Sequence, residues 1–207
     1  LVPRLQLERA AAAFRHLGLD WHYLDIRVAA TELGDAVRAA RTLCFAGLNL
    51  TLPHKVAGVQ YLDELDRSAA ICGAVNTVRR SADGRLVGSN TDGLGFLRSI
   101  QAAGIEPGGL EVVLLGAGGA ARAVAVELAL AGARRITIAS RTPANGAELA
   151  QVVSVGTGAT VAMLPWDGML RPPPCQLLVN CTPVGMGRGV AATAASRLSG
   201  LTVRPTR

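Results

Sequence analysis

Three short polar clusters in the first half of the 207-residue chain hold residue types suited to binding and protonating a small molecule. They are Asn49-Leu50-Thr51-Leu52-Pro53-His54-Lys55, Gly73-Ala74-Val75-Asn76-Thr77 and Asn90-Thr91-Asp92-Gly93. Taken singly, each is turn chemistry: Asn and Asp cap helices, Thr bonds locally and Gly turns the chain. Together they place Thr51, Lys55, Asn76 and Asp92 near the ends of neighbouring strands, where open α/β sheets hold ligands. His54 adjoins Lys55 but points elsewhere on a helix, and reads as structural.

A fourth cluster speaks for a nucleotide. Gly116-Ala117-Gly118-Gly119-Ala120-Ala121 fits the G-x-G-x-x-G/A pattern between an apolar strand and an Ala-rich helix. The first Gly permits a tight turn and the second lets backbone N–H groups approach a pyrophosphate. A small third residue lets helix and strand pack closely, and the helix dipole favours the anion. Gly116, Ala117, Gly118, Gly119 and Ala120 are therefore candidate dinucleotide ligands. At the tip of the next strand, about 20 residues on, an NAD site carries an acid for the ribose hydroxyls. This chain has Ser140-Arg141-Thr142 there. A guanidinium grips a 2′-phosphate through paired hydrogen bonds and lies over an adenine face, so NADP is the expected cofactor.

The polar clusters, in this order and at this spacing from the Gly turn, resemble the shikimate dehydrogenase family. The resemblance runs from about Leu7 through Asn180-Cys181-Thr182-Pro183-Val184-Gly185-Met186, most of the chain. It implies that Lys55 and Asp92 are the catalytic pair and that Thr51 and Asn76 hold the substrate's ring hydroxyls. It also implies the family reaction, reversible reduction of 3-dehydroshikimate to shikimate by NADPH in aromatic amino-acid biosynthesis. Reducing a ketone creates an alkoxide that needs a proton donor and positive charge nearby. Lysine is ordinarily protonated at neutral pH, which suits Lys55 to that direction. A neighbouring carboxylate favours the charged amine, so Asp92 orients Lys55 and substrate better than it would activate a neutral amine. Residue chemistry alone leaves open which of the two carries the proton. It also leaves open a quinate/shikimate enzyme using NAD, or a non-catalytic dinucleotide-binding relative.

The resemblance breaks at both ends. The family opens with a strand and a Ser-x-Ser-Pro turn for the substrate carboxylate, whereas this sequence reads Leu1-Val2-Pro3-Arg4, which looks like a protease-site remnant. After Met186 the family adds strands, a Tyr and a Gln that touch substrate, and a returning helix. Residues 187–207 show none of these. The expectation is a chain truncated at both ends, less stable than a complete enzyme and weak in shikimate affinity.

The elements that must position these residues follow from periodicity. Leu7–Leu17 reads as a helix ended by Gly18, Trp21–Val28 as a strand, and Thr31 as the cap of a helix to Leu43. Phe45–Leu50 reads as a strand, with Pro53 in the first turn of the next helix. Asp63–Ala70 reads as a helix, and Gly73–Arg79 and Leu86–Ser89 as strands joined by an Asp83-Gly84 hairpin. Gly93–Gly104 reads as a linking helix. Beyond it come strand Glu111–Leu115, helix Ala121–Ala131, strand Arg135–Ala139, helix Asn145–Val152 and strands Thr160–Leu164 and Leu177–Asn180. This alternation predicts an α/β protein whose sheet is parallel with crossover helices. With the resemblance, residues 1–93 become a substrate domain with a mainly parallel sheet, and 94–207 an incomplete Rossmann dinucleotide-binding domain.

Composition narrows the class. Half of the residues are hydrophobic but only 3% aromatic, so close backbone packing must replace large side chains. No apolar run reaches the ~18 residues of a membrane span, and a cytoplasmic protein is expected. Four separated cysteines form no C-x-x-C pair and read as buried free thiols. His16, His22 and His54 lack metal-ligand spacing, so no metal is expected. The net charge of +6 comes mainly from scattered Arg without interleaved aromatics, which favours an anionic small molecule over nucleic acid. Monomer and homodimer both remain open.

Overall fold

The computed structural model describes residues 4–166, 172–182 and 184. It divides into two compact units, Leu1–Cys44 and Phe45–Arg207. The division anticipated at 93/94 falls inside the second unit, between its two sheets.

The first unit is helical. Helix α1 (Arg4–His16) ends at Gly18, whose φ of 66° is left-handed. A 3-10 turn at Ala30–Glu32 leads into α2 (Leu33–Thr42), which buries Leu33, Val37 and Ala40 at helical spacing. Two expectations are corrected here. Thr31 lies within the 3-10 turn, and α2 begins without a side-chain cap. Trp21–Val28 forms no strand, and Trp21, Leu24 and Ile26 are exposed. Alternation specifies which side chains share a face and does not by itself make a strand. Both described sheets are built from residues of the second unit.

The first sheet comprises β1 (Gly47–Asn49), β2 (Glu64–Leu65), β3 (Thr77–Arg80) and β4 (Leu86–Ser89), in the order β1-β3-β4-β2. It corrects the expected mainly parallel arrangement. Pairs β1/β3 and β3/β4 are antiparallel, and only β2/β4 is parallel among the described residues. The Asp83-Gly84 hairpin forces the central reversal, with Gly84 at φ 84°. The expected helix Asp63–Ala70 is also split. Asp63 N–H donates to Leu86 O and Asp66 N–H to Gly88 O, so this stretch joins the sheet as β2. The helix, α4 (Arg67–Cys72), starts only after Asp66, whose carboxylate caps the Ala69 N–H at 2.6 Å.

The second sheet comprises β5 (Glu111–Leu115), β6 (Arg135–Ser140), β7 (Val161–Pro165) and β8 (Leu177–Asn180). All are parallel, in the order β7-β6-β5-β8. Helix α6 (Gly119–Leu130) connects β5 to β6, and α7 (Pro143–Thr157) connects β6 to β7. Alternate strand residues divide the core. Val112, Leu114, Ile136, Ile138, Leu177 and Val179 pack with Ala121, Ala125, Leu128 and Leu149, while Val113, Leu115 and Ala139 face the other side. Order β7-β6-β5-β8 reverses direction after β5, which creates a topological switch point. Among the described residues no helix is long and apolar enough to cross a membrane.

Helix α5 (Thr91–Ala102) joins the sheets and crosses α6 at a glycine. A Cβ on Gly93 would lie 2.2 Å from Ala123 O and 2.7 Å from Glu127 Cγ, so only hydrogen fits. Gly93→Ala must push the two helix backbones apart. The expected outcome is a loss of about 2 kcal/mol or more in urea unfolding, a typical overpacking cost. An unchanged midpoint would show that the crossing is loose.

Candidate active site

The register of the first sheet aligns Asn49, Thr77 and Ser89 across β1, β3 and β4. The residues just beyond this row therefore share one edge, and the three polar clusters meet there. Leu50 N–H donates to Asn76 O at 2.8 Å, and Asn76 N–H to Ser89 O at 3.1 Å. Pro53 precedes helix α3 (His54–Ala57) as its cap residue, not in its first turn, and the Leu52–Pro53 peptide is cis. Lys55 O accepts from Val75 N–H at 2.8 Å, which ties this single helical turn to the second cluster. A four-residue helix has little macrodipole, so no dipole argument applies to Lys55.

Asp92 is held by its own helix. Buried Asn90 caps α5, its Oδ1 accepting Asp92 N–H at 3.2 Å while its Nδ2 donates to Ala74 O at 3.2 Å. Both Asp92 oxygens are engaged: Oδ2 accepts from Lys55 Nζ and Oδ1 from Asn76 Nδ2, each at 2.7 Å. The orientation of the Asn76 amide is fixed from behind. Its Oδ1 accepts from Thr91 N–H at 2.9 Å, Thr91 Oγ1 at 3.1 Å and Thr77 Oγ1 at 3.0 Å. Three donors on the oxygen leave the NH₂ to face the carboxylate. Lys55 and Asp92 side chains are 25% and 45% exposed, so a ligand can reach the pair. Thr51 is exposed in the turn after β1; its carbonyl accepts from His54 N–H at 2.8 Å. Its hydroxyl makes no described contact with the other three residues.

The dinucleotide candidates form a second feature, at the switch point. Gly116 has φ 104°, and a Cβ there would meet Thr182 Cγ2 at 3.0 Å and Cys181 O at 3.4 Å, so the turn after β5 lies tight against the turn after β8. Gly118 and Gly119 face open space instead. A cleft of about 200 Å³ lies over Gly116, Ala117 and Gly118, between Ser140-Arg141-Thr142 on one side and Cys181-Thr182 on the other. Gly119 and Ala120 are exposed at the start of α6, whose first-turn N–H groups have no intrahelical acceptor. Open space above glycines, free N–H groups and a nearby guanidinium fit a pyrophosphate nucleotide. Ser140 is buried and its hydroxyl bonds within the turn, accepting Thr142 N–H at 3.2 Å and donating to Thr142 O at 2.9 Å. It shapes the loop, whereas Arg141 and Thr142 are exposed.

Asn145 and Trp166 also line the cleft and were absent from the sequence reading. Asn145 sits one turn after Arg141, a spacing that could have revealed it. Trp166 follows β7, where a lone aromatic gives no pattern. Pro183, Gly185 and Met186 of the anticipated motif lie outside the described residues. Asn180 and Thr182 are described, and Asn180 Oδ1 accepts both Thr182 N–H and its hydroxyl, at 3.0 and 2.6 Å.

Residues 8–78 match the family model described as the shikimate dehydrogenase substrate binding domain. A shikimate dehydrogenase (NADP(+)) of Desulforamulus reducens is 45% identical over 179 residues, which is 84% of this chain and 61% of the relative. The structure of shikimate 5-dehydrogenase from Listeria monocytogenes, in complex with shikimate and NAD, aligns with a TM-score of 0.85 at 31% identity. The alignment covers 96% of this chain and 72% of that one. The chain belongs to the shikimate dehydrogenase family. Ligand-free 5-ketofructose reductase of Gluconobacter sp. strain CHM43 is similar as well, with a TM-score of 0.84 and 42% identity over 89% of this chain and 66% of that one. Proteins named for two different substrates thus align with this chain at nearly the same TM-score. The chain spans about three fifths of the length of the curated relatives it matches.

The cysteines differ in environment. Cys44, expected buried, is exposed at the end of the first unit, where the backbone takes a left-handed φ of 58°. Burial pushes the Cys72 and Cys181 thiols up from 9.0 to about 11. Raised folded values mean that stability is complete below pH 9.0 and is lost as pH climbs toward about 11, where the unfolded chain has already shed both protons. Iodoacetamide at pH 8 should label Cys44 well before Cys72 or Cys181. Peptide mapping that finds all three alkylated together would refute this.

Proposed function

We propose that this chain carries the substrate and dinucleotide residues of an NADP-dependent shikimate dehydrogenase, interconverting 3-dehydroshikimate and shikimate. The observation that carries the reading is the Lys55–Asp92–Asn76 cluster, with both carboxylate oxygens engaged and Lys55 still reachable. In this reading the substrate domain is residues 1–93 and the dinucleotide domain 94–207. NADPH, when bound, supplies the hydride. Gly116, Ala117, Gly118, Gly119 and Ala120 would hold its pyrophosphate, and Arg141 and Thr142 its 2′-phosphate, with Ser140 shaping that loop.

Lys55 is the proton donor in this reading. An Asp92 carboxylate that accepts from two N–H donors has no proton to give, whereas the Lys55 ammonium uses one of its three on Asp92. A second Lys55 N–H can point at the carbonyl oxygen and stabilise the growing alkoxide. Asp92 and Asn76 aim the ammonium and bind substrate hydroxyls at their remaining lone pairs and donors, and the Thr51 hydroxyl adds another. The absence of an acid at Ser140-Arg141-Thr142 supports NADP over NAD. The ligand is a small molecule in the cytoplasm, with neither nucleic acid nor membrane involved, and the active form is a monomer or homodimer.

One other reading has an observation in its favour. The 42% identity to a 5-ketofructose reductase supports reduction of 5-ketofructose, with Lys55 again as the proton donor. An assay following NADPH absorbance with shikimate, quinate and 5-ketofructose separates the readings. Turnover is expected with shikimate, and turnover confined to 5-ketofructose would overturn the first. Lys55→Ala should lower kcat by about 10²–10⁴-fold, the usual share of a positioned acid, with NADP affinity unchanged. A variant that kept parental turnover would remove Lys55 from the chemistry.

A further inference from the structure

We propose that Trp166 is the platform on which the adenine base of the dinucleotide rests, a role separate from the selection of the 2′-phosphate by Arg141. The inference deepens the dinucleotide reading above and rests on it.

Strand alternation places this side chain. Leu164 and Trp166 are two residues apart, and both pack against Val113, Leu115 and Ala139, on the sheet face away from Leu149 and α6. Trp166 N–H donates to Ser140 O at 3.0 Å, which extends the β6/β7 ladder one residue past Pro165 and brings the indole beside the Ser140-Arg141-Thr142 turn. The indole is half-buried. It packs on this apolar patch and also forms part of the wall of the cleft that contains Gly118 and Arg141. No other aromatic lines that cleft among the described residues. A large π-face held by packing, beside the turn that carries Arg141 and two strand spacings (about 10 Å) from the Gly-rich turn, is what a purine joined to a pyrophosphate needs. Stacking is indifferent to the 2′-phosphate, because every adenine nucleotide has the same base. Arg141, in contrast, reads the phosphate charge. The two residues therefore weigh differently in the affinity: Trp166 in NAD and NADP alike, Arg141 chiefly in NADP, where its charge meets the 2′-phosphate.

The chain has two tryptophans, and Trp21 lies in the first unit, paired edge-on with Phe14 at 5.5 Å. Trp21→Phe thus leaves Trp166 as the only indole emitter. In that protein, adenosine 2′,5′-bisphosphate and 5′-AMP should each quench the emission to saturation, while nicotinamide mononucleotide should not. Titration calorimetry on Trp166→Ala should show about ten-fold or greater weakening for both NAD and NADP. Trp166→Phe, which keeps packing and a smaller ring, should recover part of it. Arg141→Ala should weaken NADP at least about ten-fold more than it weakens NAD. Calorimetric binding of adenosine 2′,5′-bisphosphate without a change in emission, or equal affinities in Trp166→Ala and parent, would overturn the platform while leaving the dinucleotide reading intact. Absence of heat and of quenching with every adenine nucleotide would overturn both.

Discussion

The described site depends on one carboxylate being held still. Asp92 accepts from Lys55 on one oxygen and from Asn76 on the other, and the four residues 90–93 divide the work of holding it. Asn90 caps α5 and ties it to Ala74, Thr91 locks the Asn76 amide, Asp92 makes the two bonds, and Gly93 lets the helix press onto α6. A short motif therefore couples the proton-transfer candidates to the helix that begins at the Gly turn. Moving α5 would move the carboxylate and, through it, the ammonium.

The second constraint is topological. Four parallel strands with β5 and β8 adjacent bring the turns that follow these two strands side by side at one edge of the sheet. Gly116 must bring its backbone against Cys181 and Thr182, and a side chain there would already touch Thr182 at 3.0 Å. The glycines two and three residues later meet nothing. The two kinds of glycine thus have opposite reasons, close packing at the strand exit and open access at the helix entrance.

Local pattern made much of this legible. The strands Glu111–Leu115 and Leu177–Asn180 coincide with the expected residues, because continuous apolar runs bounded by turns are strong signals. The first half was harder. Asp63–Asp66 reads as helical by composition, yet Leu86 and Gly88 recruit its backbone into a sheet. The mixed direction of that sheet depends on which strands become neighbours, which spacing does not report. Within the site, the residue types at 55, 76 and 92 were readable and their meeting was expected from strand ends. The bracing by Thr77 and Thr91 was not, because a threonine in a turn looks the same whether or not it orients an amide. Trp166 left no trace either, since its place follows from the β6/β7 register.

The ion pair at the centre is a poor candidate for a stability device. Lys55 and Asp92 are 25% and 45% exposed, and pairs this accessible contribute roughly 0–1 kcal/mol. The surrounding structure is far more extensive: a helix cap and a glycine crossing hold Asp92, while two threonine hydroxyls and a backbone N–H hold its amide partner Asn76. Structure built around a bond of small net worth makes sense when the direction of the bond is what matters. A proton donor has to point at an oxygen atom to within a few tenths of an ångström before its acidity is of any use. The arrangement of residues 76 and 90–93 fixes direction, and the exposed side of Lys55 is where that direction can act.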